Sequence, residues 1–198
     1  ETTNGSFTVQ ETATYGENVT ISVTPATGYE LDQILVDGEA LGVGITSFTM
    51  PAKDVTVSVT FKQSIYTITR EGTVEHGTFE VQETAIYGEE VEITSNPDIS
   101  YKAIFTVMFN ETPIAVVNNK FIMPAGNVTI SATFAQNINS VIITATTNGT
   151  VSANPVNAVE GSEVELTITP NTGYKLETLV VMYGETPVTV ADNKFVMP

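Results

Sequence analysis

Several short stretches of the chain alternate hydrophobic and polar residues with a period of two. Residues 55–61 read VTVSVTF and residues 128–134 read VTISATF. Such alternation of β-branched and polar residues is typical of a strand with one buried face. Similar stretches run up to Pro25, Pro97 and Pro170, and each proline is expected to end its strand because it has no amide hydrogen to donate. No apolar stripe of helical period is long enough for a stable helix, so the pattern predicts an all-β fold.

The same block of sequence occurs three times along the chain. Its anchors recur at intervals of 72 to 74 residues, and they are a turn glycine and a methionine followed by proline: Gly16, Gly88 and Gly161, with Met50, Met123 and Met197. A unit of this length is large enough to fold around its own core, whereas solenoid units are shorter. The sequence therefore predicts three tandem modules of about 72 residues, at 1–62, 63–136 and 137–198.

Each complete module is expected to hold six or seven short strands. This number favours a small two-sheet β-sandwich, either Ig-like or β-grasp-like. The predicted linkers, residues 62–64 and 135–140, are short and are neither Gly/Ser-rich nor Pro-rich. Such linkers restrict bending, so the three modules are predicted to form an elongated rod.

The two terminal modules lack one strand each in this sequence. Residues 65–69 and 141–146 open the second and third modules, whereas the first begins at Glu1 inside its hairpin and lacks that strand. The third stops at Met197-Pro198 and lacks the closing strand. Two interpretations stay open: the chain is a segment of a longer array, or the incomplete modules self-associate by strand exchange, which would build a filament.

Composition excludes several classes of function. The 23 acidic residues outnumber the 7 basic ones, which gives a net charge of −16 and argues against a nucleic-acid partner. The chain has no cysteine, so disulfides, thiolate zinc sites and a thiol nucleophile are excluded. No hydrophobic run approaches the ~18 residues that indicate a membrane span. The modules must therefore be held together by core packing.

The side chains that could take part in catalysis or metal binding do not form a catalytic set. His76 is the only histidine and lies in a predicted turn, so the chain is predicted not to be an enzyme and to need no cofactor. Four carboxylates in the first module are weak candidates for a calcium site, because hard cations prefer oxygen ligands: Glu30, Asp32, Asp37 and Glu39. The corresponding positions of the third module differ, so a solvated face is the favoured alternative.

Two lysines offer another hypothesis, because surface proteins can carry Lys-to-Asn isopeptide bonds. Lys120 and Lys194 follow Asn119 and Asn193, but the first module has Ser47 at this place. An ordinary lysine at a strand edge is the alternative.

Recurring aromatic residues and methionines are predicted to build the modules. They are Tyr29, Tyr101 and Tyr174, which follow the prolines, Phe61 and Phe134, which end the alternating strands, and the anchor residues Met50, Met123 and Met197. Burial of such side chains stabilises small β-domains. The alternative for the tyrosines, together with Tyr15 and Tyr87, is a sugar-stacking platform.

The recurring motifs resemble the divergent internalin B-repeat family, the Listeria and Bacteroides type of bacterial cell-surface repeat. The resemblance rests on the Gly-Tyr pairs at 28–29 and 173–174 and on three copies of Phe-x-Met-Pro, which end at Pro51, Pro124 and Pro198. The sequence departs from the family where Ser100 replaces the glycine, and it has no tryptophan, with Ile34 and Leu179 near the usual place.

The resemblance implies an extracellular location, on a bacterial surface or secreted, as a stalk, fibre or adhesin segment without catalytic residues. The alternative is a carbohydrate- or receptor-binding module attached to an extracellular enzyme. A host or matrix protein, or a glycan, would be the partner.

Overall fold

The computed structural model describes residues 3–144 and 146–198, and these residues form strands and turns but no helix. Strands account for 55% of the structure, which confirms the predicted all-β fold of small sheets. No helix in the described ranges is long and apolar enough to cross a membrane. Glu1, the predicted start of the first module, and Ala145, inside the predicted opening strand 141–146, lie outside the described residues.

The strands follow the three repeats in order. The first repeat has β1 (Gly5–Val9), β2 (Asn18–Pro25), β3 (Tyr29–Val36), β4 (Glu39–Ala40), β5 (Ser47–Thr49) and β6 (Val57–Gln63). The second has β7 (Ile65–Arg70), β8 (Gly77–Glu80), β9 (Thr84–Ile86), β10 (Glu90–Glu92), β11 (Thr94–Pro97), β12 (Tyr101–Phe109), β13 (Thr112–Ile114), β14 (Lys120–Ile122) and β15 (Val128–Gln136). The third has β16 (Ile138–Ser140), β17 (Gly149–Asn154), β18 (Asn157–Val159), β19 (Glu163–Pro170), β20 (Val181–Tyr183), β21 (Thr186–Val188) and β22 (Lys194–Val196).

The first repeat consists of two three-stranded antiparallel sheets. One has the order β1-β2-β5 and the other β4-β3-β6. Their facing sides bury Ile21, Ile34 and Val59, and Ile34 lies directly opposite Val59 in the register of β3 and β6. Alternation places these side chains inward and the intervening Thr and Ser residues outward.

The second repeat contains a five-stranded sheet of order β13-β12-β15-β7-β9. The opening strand β7 runs parallel to the closing strand β15, with Ile68 opposite Val128, and both side chains are buried. Nine strands replace the expected six or seven. One reason is that the predicted strand at 90–94 is interrupted at Ile93, where pairing changes from β14 to β8.

The third repeat has a three-stranded sheet, β17-β19-β22, and the pairs β16-β18 and β20-β21. Its core contains Val164, Leu166, Phe195 and Met197. The predicted opening strand at 141–146 is wrong for its described residues, 141–144 and 146, which form no strand, because strand pairing occurs earlier, at β16 against β18. The described residues after β16 include no closing strand against which 141–144 pair.

The junctions between repeats are shorter than predicted. Strands β6 and β15 continue two residues beyond Phe61 and Phe134, so that single residues, Ser64 and Asn137, separate them from β7 and β16. The amide of Ser64 donates a hydrogen bond to the carbonyl of Gly28 (2.9 Å). The amide of Asn137 bonds in the same way to Ser100 (2.7 Å).

The described residues divide into two compact units that do not coincide with the repeats. One comprises the described residues of 3–71, 80–94 and 105–131. The other comprises Gly72–Phe79, Ser95–Ile104 and Ala132–Pro198.

Candidate functional site

A reciprocal pair of backbone hydrogen bonds joins the turn glycine and the methionine of every repeat. The glycine amide donates to the methionine carbonyl, and the methionine amide donates to the carbonyl of the residue after the glycine. The first bond measures 2.9, 2.9 and 2.8 Å from Gly16, Gly88 and Gly161 to Met50, Met123 and Met197. The glycine and the methionine thus form one structural element. It joins the start of β2, β10 or β19 to the end of β5, β14 or β22 in the respective repeat.

Backbone geometry explains the glycines in this element. Their φ angles are 83°, 82° and 80°, a region that side-chain-bearing residues rarely adopt. None of the described residues has an atom within 4 Å of a Cβ built on these glycines, so backbone conformation and not crowding requires glycine. The methionine side chain is fully buried at Met123, 6% exposed at Met197 and half-buried at Met50.

A glutamate reinforces this turn in the first two repeats. Glu17 accepts hydrogen bonds from the Thr14 amide (2.9 Å) and the Gln10 side chain (2.9 Å), and these bonds lower its pKa. Glu89 accepts from Gln82 (2.8 Å) and the Ile86 amide (3.1 Å), which lower its pKa in the same way. Their role is structural, because each carboxylate is occupied by its own turn.

The structure separates the four calcium candidates. Glu30 forms an ion pair with Lys62 (3.3 Å), and Asp32 accepts a hydrogen bond from the Thr60 hydroxyl (3.2 Å). Asp37 and Glu39 lie at the other end of β3, roughly 20 Å away along an extended strand. No group of three or more potential metal ligands occurs among residues 3–144 and 146–198. The calcium hypothesis therefore has no assembled site.

Asp37 has structural partners of its own. Its carboxylate contacts Lys53 Nζ (2.6 Å) and accepts a hydrogen bond from the Thr56 amide (2.8 Å). The hydrogen bond from Lys53 is the larger cause that lowers the pKa of Asp37 below the ordinary aspartate value. The hydrogen bond from the Thr56 amide lowers this pKa further. These contacts attach the turn after β3 to the segment that leads into β6.

The two lysines considered for isopeptide bonds form ion pairs across neighbouring strands. Lys120 Nζ lies 2.7 Å from Glu90, and Lys194 Nζ lies 2.6 Å from Glu163. These carboxylates raise the pKa of each lysine. The strand-edge interpretation accounts for both positions.

His76 occupies a turn position that asparagine fills in the other repeats. Its φ is 64°, close to 73° at Asn4 and 61° at Asn148, and each of the three precedes a glycine. Its carbonyl accepts a hydrogen bond from Asp98, as that of Asn4 does from Ala26. The imidazole stacks on Tyr101 with ring centroids 4.2 Å apart. Its Nδ1 lies 3.9 Å from the carboxylate of Asp98, and its position is that of a turn residue.

The predicted module-building aromatics differ in their environments. Tyr29, Tyr101, Phe61 and Phe134 are half-buried. Tyr174 is 57% exposed, contrary to the packing expected from its sequence position. The reason is that β3 and β12 begin at Tyr29 and Tyr101 and pair with closing strands, whereas residues 174–180 have no strand partner in the described part of the chain.

A contact between successive repeats was not predicted from the sequence. Tyr87 packs on Gly28, so closely that a Cβ on this glycine would lie 2.6 Å from Tyr87 Cβ. At the corresponding place in the next pair of repeats, the Ser100 hydroxyl donates to the carbonyl of Glu160 (3.3 Å). Ser100 thus replaces a glycine where a tyrosine no longer needs the space. The only sequence signal for the contact between Tyr87 and Gly28 is the Tyr-Gly-Glu turn that the first two repeats share.

The third repeat contains an open groove of about 890 Å³. Its two walls are residues 139–144 and 174–183. Its floor includes Leu166, Ile168, Phe195 and Met197. Hydrophobic side chains along the walls are unusually exposed, including Ile142 at 84%.

Comparison with known protein families agrees with these repeated elements. The model of the divergent InlB B-repeat domain matches residues 1–65, 66–138 and 139–198, which together span the chain. No curated protein matches the chain. Repeats of this family are associated with bacterial cell-surface proteins and are typically non-catalytic. The resemblance recognised from the sequence is confirmed, and the chain belongs to the divergent InlB B-repeat family.

Proposed function

We propose that the chain is a non-catalytic structural and interaction segment of a bacterial surface or secreted protein, acting as a stalk, fibre or adhesin segment outside the cell. The observation that carries this proposal is the reciprocal Gly–Met hydrogen bonding, which recurs in all three repeats with distances of 2.8 to 2.9 Å. Copying has preserved the framework of the module.

The side chains that could take part in catalysis are not repeated in the same way. His76 occurs in one repeat, and the Asp37–Lys53 pair occurs in another. A catalytic site needs its nucleophile, base and positioning groups in a fixed geometry. The backbone framework is repeated but a set of catalytic side chains is not. This favours a role as a spacer or display segment over a role as an enzyme.

The strength of each repeat comes from packing, because the chain has no cysteine with which to form disulfides. The first and third repeats each have a hydrophobic cluster of their own. A module with a hydrophobic core of its own can in principle fold alone. This property suits a spacer whose length is set by the number of copies.

A fusion on the bacterial surface tests the spacer role. One, two or three repeats are placed between a membrane anchor and an epitope tag, and antibody access to the tag is measured by flow cytometry. We expect access to rise with the number of repeats. A matched spacer of flexible Gly/Ser residues controls for chain length. Equal access for all fusions would contradict the proposal.

A carbohydrate- or receptor-binding module is the second candidate, and two exposed tyrosines favour it. Tyr15 is 79% exposed and Tyr174 is 57% exposed, so each presents a ring on which a sugar can stack. A glycan array and a panel of matrix proteins, probed with the full chain, separate the two functions. Saturable binding that Tyr15→Ala or Tyr174→Ala abolishes would establish the second candidate. If the chain binds neither a glycan nor a matrix protein, the spacer role is favoured.

A further inference from the structure

The two junctions between successive repeats lie inside the chain and share one backbone frame. At the first, the amide of Ser64 donates a hydrogen bond to the carbonyl of Gly28 (2.9 Å), and at the second the amide of Asn137 donates to the carbonyl of Ser100 (2.7 Å). Gly28 and Ser100 both have a left-handed backbone, with φ angles of 79° and 68°. The linker of each junction is therefore held by the turn that precedes β3 or β12.

Strand pairing in the following repeat brings a second residue to the same turn. At the first junction β7 pairs with β9, so that Ile65 lies opposite Ile86, the residue before Tyr87. At the second junction β16 pairs with β18 in the equivalent way, and Glu160 follows β18. The turn of one repeat thus contacts both the linker and the residue that follows the third strand of the next repeat.

The side chains inside this frame differ between the two junctions. Gly28 is buried, and a Cβ at this position would lie 2.6 Å from Tyr87 Cβ. Ser100 has a Cβ, and its hydroxyl donates a hydrogen bond to the carbonyl of Glu160 (3.3 Å). Glycine therefore occurs opposite tyrosine and serine opposite glutamate, although both turns have the same left-handed backbone.

The two pairs also differ in the surface that they remove from water. Tyr87 is 47% exposed, so about half of this aromatic residue is covered, and burial of apolar ring surface stabilises a contact. The hydrogen bond from Ser100 is exposed, and such a bond contributes little net stability because water offers the same partner. The first junction is therefore expected to resist opening more strongly than the second.

We propose that Gly28 with Tyr87, and Ser100 with Glu160, are matched pairs that determine which repeat can follow another and how strongly the two repeats are coupled. The glycine turn accepts a following repeat that carries an aromatic residue and couples tightly to it. The serine turn excludes that ring and couples weakly to the next repeat. This specificity goes beyond the structural role proposed above and does not depend on it.

Removal of the Tyr87 ring tests the coupling in the full 198-residue chain. Residue-resolved amide hydrogen exchange is measured at Ser64, in the junction, and at Ile21 and Met123, whose amides bond inside the first and second repeats. Tyr87→Ala is expected to speed exchange at Ser64 about tenfold and to leave the other two amides unchanged. Tyr87→Phe is the matched control, because it retains the ring and should keep the parent rate at all three amides.

Two outcomes of this measurement would overturn the proposal. One is an unchanged exchange rate at Ser64 in Tyr87→Ala. The other is faster exchange at Met123 as well, because the ring would then stabilise its own repeat and not the junction.

A double-mutant cycle at the first junction tests whether the pair is matched. Gly28→Ser is expected to speed exchange at Ser64 strongly in the parent but much less in the Tyr87→Glu background, because no ring then occupies the space of the new Cβ. The strain of a left-handed serine is present in both backgrounds and cancels in the comparison. Additive effects of the two substitutions would contradict the matched pair.

The converse exchange is made at the second junction. Glu160→Tyr alone is expected to speed exchange at the Asn137 amide, because the Cβ of Ser100 blocks the ring. Glu160→Tyr combined with Ser100→Gly is expected to slow this exchange below the parent rate, because the pair then matches the first junction. An effect of Glu160→Tyr that is the same with serine and with glycine at position 100 would overturn the proposal.

Discussion

The aromatic ring of Phe61 lies directly on the backbone of Gly5, so that a Cβ at residue 5 would approach Phe61 Cζ within 2.5 Å. The same relationship joins Phe134 to Gly77 in the second repeat. Each pair connects the closing strand to the first hairpin of its repeat. Glycine is required at these positions by the close approach of an aromatic ring.

Gly5→Ala is expected to destabilise the first repeat by about 1 to 3 kcal/mol, because the added methyl group overlaps the ring. In the Phe61→Ala background the same substitution should cost much less, since the overlapping ring is gone. Native-state hydrogen exchange of first-repeat amides measures both effects in a double-mutant cycle. Additive costs would show that the two residues do not interact.

Removal of an aromatic ring should cost more where the ring is fully buried. Phe121 is 2% exposed, and Phe121→Ala is expected to cost about 4 to 5 kcal/mol. Phe134 is half-buried, so Phe134→Ala should cost about 3 kcal/mol, the lower end of the range for this substitution. Urea unfolding followed by NMR signals of the second repeat compares the two. A larger loss for Phe134→Ala would contradict this difference in burial.

Gly88→Ala tests the turn that pairs with Met123. At a φ of 82°, alanine is expected to cost about 1 to 2 kcal/mol. Gly88→Asn is the matched control, because asparagine tolerates this left-handed region better. Thermal unfolding of the second repeat should place the asparagine variant between alanine and the parent. Equal stability of all three proteins would mean that the turn conformation is different.

Acid should weaken the first repeat through Glu17. Hydrogen bonds from the Thr14 amide and Gln10 lower its folded pKa below the ordinary value of 4.5. A carboxyl group of this kind stabilises the fold above its unfolded pKa, and this contribution is lost as the pH falls through the folded pKa. The decline should therefore begin as the pH falls below about 4.5.

The charge-matched pair Glu17→Gln and Glu11→Gln isolates this effect. Stability of the first repeat is measured by hydrogen exchange between pH 6 and pH 3. Glu17→Gln should reduce the acid-dependent decline, whereas Glu11→Gln should retain it. The same dependence in both variants would show that general charge, and not the turn, causes the decline.

The sequence predicted the repeated framework because local rules governed it. Turn glycines, prolines at strand ends and period-two alternation describe backbone preferences, and Pro25, Pro97 and Pro170 are each the last residue of a strand. The pairing of Gly16 with Met50 could be anticipated only as a recurring spacing, because the contact joins residues distant in sequence.

The predictions that were wrong depended on partners. Tyr174 occupies the same sequence position as Tyr29 but is exposed, because the strand that pairs with β3 has no counterpart among the described residues of the third repeat. The described residues of the predicted strand at 141–146 form no strand either, because pairing in this repeat occurs earlier, between β16 and β18. The packing of Tyr87 on Gly28 could not be predicted from either residue alone.

Residue-resolved amide hydrogen exchange of the 198-residue chain tests whether the three repeats share one hydrogen-bonded framework. In the structure, residues 29–36 and 101–109 pair with closing strands, whereas residues 174–180 have no strand partner among the described residues. We expect slow exchange at the paired Gly and Met amides of all three repeats and in 29–36 and 101–109, with fast exchange in 174–180. Equal protection of 174–180 and 29–36, or an unprotected Gly161 amide, would contradict it.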